Sequence, residues 1–113
     1  MRMVRYSVFF LTLTVLAACA KDSNQQKKEV AQKGDPVKGR GIYLANCAVC
    51  HNSDPAKDGP LGPAIKGSSR PLLEARVLSA NYPPGYKPKR NTSAMPPMPY
   101  LKSEIPNLEA FLR

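Results

Sequence analysis

Three residues near the middle of the chain, Cys47, Cys50 and His51, have the types and spacing that could hold a cofactor. Two thiols separated by two residues, with an imidazole directly after the second, match the spacing for covalent attachment of a c-type haem. On a helical turn, residues three apart lie on one face, so both sulfur atoms can add to the vinyl groups of one porphyrin. A neutral nitrogen of His51 can then bind the iron from the proximal side.

Two other interpretations of this motif are weaker. A thioredoxin-like thiol pair would need a preceding strand and a βαβ context, and neither pattern is visible. A zinc site would need four nitrogen or sulfur ligands. The chain has one histidine and three cysteines, and one of these, Cys19, lies in the leader. We therefore expect one haem c, attached through Cys47 and Cys50. Because so short a motif can occur by chance, the flanking sequence must support this interpretation.

The first 18 residues have the pattern of an export signal. A basic start is followed by an apolar run that ends at Ala18 and is too short to span a bilayer. Residues 16–19, Leu-Ala-Ala-Cys, resemble a bacterial lipobox, whereas residues 18–20 also fit the A-x-A rule of ordinary signal peptidase. We favour the lipobox, because it explains the odd cysteine, Cys19, that remains after the haem pair.

This choice predicts a lipid anchor on Cys19 and a membrane-tethered protein on the periplasmic side; the alternative is a soluble periplasmic protein. The segment after Cys19 is polar and contains no aromatic residue up to Lys33, so it cannot bury enough surface to order itself. We expect a signal peptide over 1–18, a lipidated N-terminus and flexible tether over 19–34, and one folded domain over 35–113.

The chain is strongly basic, with a formal net charge of +9. A basic surface around a redox centre would steer acidic-faced redox proteins onto it. The cations do not cluster in a helix, no aromatic-basic RNA motif is present, and the predicted export separates the chain from nucleic acid, so we expect no nucleic-acid partner. The folded region contributes basic residues that such a surface could use, among them Lys57, Lys66, Lys87, Lys89, Arg90 and Lys102.

The folded region opens with a helix. Asp35 can cap it and Pro36 suits its first position, so we expect a helix up to about Cys47. Glycine inside a helix costs about 0.5–1 kcal/mol relative to alanine, so Gly39 and Gly41 suggest that another helix crosses closely there. The spacing predicts one buried face on this helix, made by Val37, Gly41, Tyr43, Leu44 and Cys47.

The run from Gly39 to His51 resembles the N-terminal helix and haem-binding turn of class I cytochromes c, with Gly39 and Tyr43 at the positions of that family's helix-crossing glycine and aromatic residue. The resemblance covers residues 35–113. It implies an all-α fold, in which N- and C-terminal helices cross and a short middle helix and Pro/Gly-rich loops surround one covalent haem.

The resemblance also implies a role for Pro63. In the family, a Gly-Pro-x-Leu-x-Gly loop lies beneath the haem, and its proline carbonyl accepts the Nδ1–H of the ligand histidine. Residues 62–67 match this loop with isoleucine in place of leucine, and residues 59–60 form a competing Gly-Pro register. Tyr82 and Tyr86 resemble the tyrosine-containing loop that leads to the distal ligand, and could donate to a haem propionate or serve as packing.

A methionine is the expected distal ligand, because His51 is the only histidine and a thioether suits ferrous iron. Met95 and Met98 lie among three prolines, which make a stiff loop. The family's Met-Pro-Pro motif maps onto Met95, so we choose Met95 over Met98.

Two further helices are predicted. A short one over 71–79 supplies apolar surface to one haem edge. The last is capped by Ser103, tolerates Pro106 in its first turn and runs to about Leu112. Its Leu108 and Phe111 match the family's pair that packs near Gly39.

Two functions remain open from these residues. With His51 and Met95 both bound, the iron has no open coordination position for a substrate. The first function is therefore an electron carrier without enzymatic activity of its own. It could act alone or as the haem subunit of a respiratory or oxidoreductase complex. The second is a haem-based sensor or peroxidase-like enzyme with a labile methionine ligand. No distal histidine or arginine for peroxide chemistry is identified in the sequence.

Overall fold

The computed structural model describes residues 33–113. The predicted signal peptide, the lipid site at Cys19 and the tether up to residue 32 lie outside this range. None of the helices within residues 33–113 combines the length and the apolar character needed to cross a membrane.

The described residues form helices and loops without a strand, which confirms the all-α prediction. Asp35 caps the first helix, as predicted, and its carboxylate accepts from the N–H groups of Val37 and Lys38 at 2.8 and 3.3 Å. The elements are α1 (Pro36–Asn46), α2 (Ala48–His51), α3 (Arg70–Leu73), a π-helix (Glu74–Leu78), a 3₁₀-helix (Pro99–Glu104) and α4 (Ile105–Leu112).

Helices α1 and α4 cross in direct contact. At Gly39 the two backbones are so close that a side-chain carbon would overlap the carbonyl oxygen of Asn107. One turn further on, the buried ring of Tyr43 packs against Phe111 with 5.3 Å between ring centroids. The absence of a side chain at Gly39 therefore allows the crossing that holds the two ends of the domain together.

The predicted buried face of α1 is wrong at three positions. A side-chain carbon at Gly41 would meet nothing within 4 Å, Val37 is 81% exposed and Leu44 is 38% exposed. The buried residues of α1 follow a strict spacing of four, at Gly39 and Tyr43, and Cys47 continues it. This narrow stripe suffices because one helix, α4, covers it.

The other two predicted helices also differ in detail. The segment expected as one helix over 71–79 begins at Arg70 as α-helix and continues as π-helix from Glu74. Ser103 does not cap α4, because residues 99–104 form a 3₁₀-helix that leads directly into it. Glu104 occupies the cap position, and its side chain makes no capping bond to the N–H groups of the helix. Pro106 lies in the first turn of α4, as expected.

A single core joins these elements. Helix α4 contributes its buried side, and α3, the π-helix and the 3₁₀-helix add apolar residues around it. The buried apolar residues are Tyr43, Cys47, Leu73, Val77, Met98, Leu101, Ile105, Leu108 and Leu112.

Candidate cofactor site

Cys47 and Cys50 lie on one tight turn and face one cavity. The N–H groups of Cys50 and His51 both donate to the carbonyl of Cys47, at 3.1 and 2.9 Å. Both cysteines are free thiols, and both line a cavity of about 310 Å³. The turn therefore presents two unoxidised sulfur atoms and an imidazole to the same space.

The electrostatics of Cys47 argue against a thioredoxin-like pair. Burial, with a smaller contribution from Cys50, raises the pKa of the Cys47 thiol to about 11. An attacking thiol of a redox pair needs a lowered pKa, because the thiolate is the nucleophile. The zinc interpretation fares no better, since within residues 33–113 no three His, Cys, Asp or Glu side chains converge as a metal ion would require.

His51 is buried, and one of its ring nitrogens is already engaged. Its Nδ1 lies 2.8 Å from the carbonyl oxygen of Pro63. A carbonyl only accepts, so Nδ1 carries the proton and the lone pair lies on Nε2. Such a bond fixes the tautomer and makes the imidazole a better donor to a metal.

The loop that supplies this carbonyl approaches the ring closely. A side-chain carbon at Gly62 would overlap the imidazole of His51. In the competing register, Pro60 is exposed and Gly59 packs instead against the backbone of Cys50. The structure thus brings Pro63, rather than Pro60, to His51.

Met95 and Met98 both line the cavity, but they differ in burial. Met98 belongs to the buried core, whereas Met95 is half-buried and packs against it. Both methionines therefore lie at the cavity wall, Met98 as part of the core and Met95 at its edge.

Tyr82 and Tyr86 line the cavity together with a residue that the sequence analysis missed, Arg76. The two tyrosine rings stack with 5.3 Å between centroids, and the guanidinium of Arg76 lies 4.3 Å from the Tyr82 centroid. Arg76 also donates to the carbonyl of Ala80. The sequence did contain a signal for Arg76, which lies four residues after Leu72 on an otherwise apolar helix face. A buried cation is costly unless it has a partner, so a cation on such a face indicates a polar contact.

The loops on either side of the cavity are joined by polar contacts. Asp58 pairs with Arg90 at 3.2 Å and accepts the N–H of Ala64 at 2.7 Å, while Lys89 donates to the carbonyl of Ala64 at 2.7 Å. The Ala64 N–H and Arg90 together lower the pKa of Asp58. Lys57 also pairs with Asp54, at 3.7 Å. Three of the six cations expected to face a partner thus make internal contacts.

The cavity wall has the chemistry that a covalently bound haem requires. Two thiols on one turn can form thioethers, Nε2 of His51 can donate to iron, and two methionines line the wall. The volume falls in the range of small-molecule sites, about 300–1,000 Å³. Apolar side chains supply most of the remaining wall, namely Leu61, Ile65, Leu72, Leu73, Val77, Leu108 and Leu112.

Comparison with known proteins agrees with this assembly. Residues 36–113 match the family model described as cytochrome c. A cytochrome c-553-like protein of Synechocystis sp. is 41% identical to this chain over 49 residues, which are 43% of this chain and 45% of that protein. The aligned segment is therefore less than half of that relative. No solved structure gave a match. The family implies a covalent haem and electron transfer, and because its model spans most of the chain, this protein belongs to the cytochrome c family.

Proposed function

We propose that this domain carries single electrons on one haem, which Cys47 and Cys50 would hold covalently and whose iron His51 and Met95 would bind. The observation that carries the proposal is one cavity wall that combines two free thiols, an imidazole with its Nδ1 engaged and a half-buried thioether. Bound haem would supply a one-electron iron couple without an open coordination position.

The chain's own residues hold and tune that group. The carbonyl of Pro63 keeps Nδ1 of His51 protonated, which would leave Nε2 free to bind the iron of a haem. Arg76, Tyr82 and Tyr86 lie together on the cavity wall and would hold the haem carboxylates, since a guanidinium and hydroxyls donate readily to carboxylate oxygens. The apolar wall would keep water away from a bound haem.

The distal ligand can be tested directly. We expect Met95→Leu to abolish the weak red sulfur-to-iron charge-transfer band of the ferric protein and to let the reduced protein bind carbon monoxide. Met98→Leu serves as the matched control and keeps the band. Loss of the band in Met98→Leu alone would instead assign Met98 as the ligand. Ready binding of carbon monoxide by the unaltered protein would favour the sensor or peroxidase-like alternative.

The proposed setting is the periplasmic side of a membrane, with the domain tethered through a lipid on Cys19. Acyl chains contribute about 0.8 kcal/mol per buried methylene, and stable anchoring takes more than one chain. We expect a Cys19→Ser variant to lose membrane partitioning in cell fractionation. A mature mass that begins at Lys21 would contradict the anchor and indicate a soluble periplasmic protein.

The proposed partners are acidic-faced redox proteins, which would bind either as separate proteins or as subunits of a respiratory or oxidoreductase complex. Lys66 and Lys87 support this, because both are exposed and each lies within two residues of the cavity wall. We expect Lys66→Glu to slow electron transfer with an acidic redox protein at low ionic strength, and added salt to remove the difference. Arg40→Glu is the control, since it changes net charge equally on an exposed part of α1. Equal rates for the two variants would contradict this docking face.

A further inference from the structure

The segment after Met95 has a single backbone donor. Three of the four residues 96–99 are prolines, which lack an N–H group, so Met98 alone can donate from its backbone there. Its N–H donates to the carbonyl oxygen of Val77 at 2.6 Å. Met98 and Val77 are both buried, so the bond is shielded from water. This contact attaches the proline-rich segment to the middle of the domain.

The carbonyl of Val77 is available because of the way the middle helix ends. In a continuing α-helix it would accept from the N–H of Asn81. Here the last turn is π-helical, Ala80 adopts a left-handed conformation with φ 56°, and the Asn81 N–H returns to the carbonyl of Ala75 at 3.0 Å. Such widened turns are often found at functional sites. The irregular helix end thus frees one carbonyl for a bond from another part of the chain.

We infer that the Val77 carbonyl and the Met98 amide form a positioning contact for the sulfur of Met95. The inference rests on the proposed function, in which Met95 is the distal ligand. Two prolines connect Met95 to Met98, and their fixed φ angles leave the short link little freedom. Fixing Met98 therefore restricts where the Met95 sulfur can go, and releasing Met98 allows an external ligand to compete for the iron.

Three substitutions of Met98 separate this contact from packing. Met98→Leu keeps the N–H and most of the buried volume, Met98→Ala keeps the N–H but removes the side chain, and Met98→Pro removes the N–H. The measurement is imidazole binding to the ferric holoprotein, followed through the sulfur-to-iron band. We expect the leucine and alanine variants to retain the band, and the proline variant to bind imidazole about tenfold more tightly than the alanine variant, the equivalent of one buried hydrogen bond. Equal affinities of the proline and alanine variants would overturn the inference.

Because Met98 has φ −127°, proline also changes the local backbone, so a second measurement uses the unaltered holoprotein. Amide hydrogen exchange followed by NMR should rank the Met98 N–H with the slow amides of the core helix α4. Fast exchange at Met98 would overturn the inference even if the proline variant behaved as expected.

The two proposals fail in different ways. Retention of the band in Met95→Leu would overturn the ligand assignment and this inference with it. Loss of the band in Met95→Leu, together with equal imidazole binding by the proline and alanine variants, would overturn the positioning contact alone.

Discussion

Tyr43 links the first helix to the turn that follows the candidate iron ligand. Its side chain is fully buried, and its hydroxyl donates to the carbonyl of Asn52 at 2.6 Å. Asn52 has φ 76°, so the chain changes direction immediately after His51. Burial, with a smaller contribution from Cys47, raises the pKa of Tyr43 to about 12, and the hydroxyl therefore remains a donor at neutral pH.

This bond predicts an effect of removing one oxygen atom. We expect Tyr43→Phe to lower the free energy of unfolding by about 1–2 kcal/mol, because the carbonyl of Asn52 loses its partner in a partly buried place. The control is Tyr100→Phe, since Tyr100 is 68% exposed and its hydroxyl bonds to Asn46 at the surface. That change should stay within about 0.5 kcal/mol. Urea unfolding of both holoproteins measures the difference, and equal losses would contradict the role given to Tyr43.

At the scale of elements, the α1–α4 crossing gives two glycines of one helix different surroundings. A side chain at Gly39 would overlap the backbone of Asn107, whereas Gly41 faces open space. We expect Gly39→Ala to destabilise the domain by about 3 kcal/mol or more, because the helices must separate. Gly41→Ala should instead stabilise it by about 0.5–1 kcal/mol through helix propensity. Thermal unfolding of the two variants provides the measurement, and a shift of the same sign in both would refute this account of the crossing.

The same crossing carries a pH-dependent contact. The Asn107 amide donates to Glu104 at 2.7 Å, and Lys38 lies 3.2 Å from the same carboxylate. The hydrogen bond from the Asn107 side chain, together with Lys38, lowers the pKa of Glu104 below its ordinary value of 4.5. A lowered folded-state pKa means that the stabilisation is complete above the unfolded-state pKa and is lost as pH falls through the folded-state pKa.

We therefore expect Glu104→Gln to be less stable than the unaltered protein at pH 7, and the gap to narrow below about pH 4.5. Urea unfolding at a series of pH values measures the gap. Glu74→Gln is the control, because Glu74 is exposed on the π-helix. A gap that stays constant down to pH 3 would show that the charge of Glu104 contributes nothing.

Local signals in the sequence predicted the helix that Asp35 and Pro36 begin, and the resemblance led to Pro63 as the neighbour of His51. Side-chain spacing failed where a tertiary contact decides burial. Gly39 and Gly41 look alike in sequence, and only the path of α4 distinguishes them. The π-helix and the place of Arg76 were not predicted, because both depend on how residues 80–86 fold back.

At the scale of the molecule, the cavity makes the fold depend on its occupant. A dry, rigid cavity of 310 Å³ would cost about 7 kcal/mol at 24 cal/mol per Å³. Small domains have only about 5–15 kcal/mol of total stability. Without a haem, the apolar wall residues Leu73, Val77 and Leu108 would lose the group against which they pack.

We therefore expect the haem-free polypeptide, expressed without haem-ligation machinery, to be largely unfolded. Far-UV circular dichroism should show low helix content, and urea unfolding should lack a cooperative transition. The holoprotein under identical conditions is the control. A haem-free form with native helix content and a sharp transition would contradict this dependence on the cofactor.

The pairing of the first helix with the last also orders events in time. Asp35 and Asn107 bond across 72 residues, so this contact waits for nearly the whole domain to be made. If the chain is exported N-terminus first, as proposed, Cys47 and Cys50 would emerge well before residues 105–112 can cover them. The connectivity would then leave an interval in which the thiols are accessible for haem attachment, and arrival of the C-terminal helix would end it.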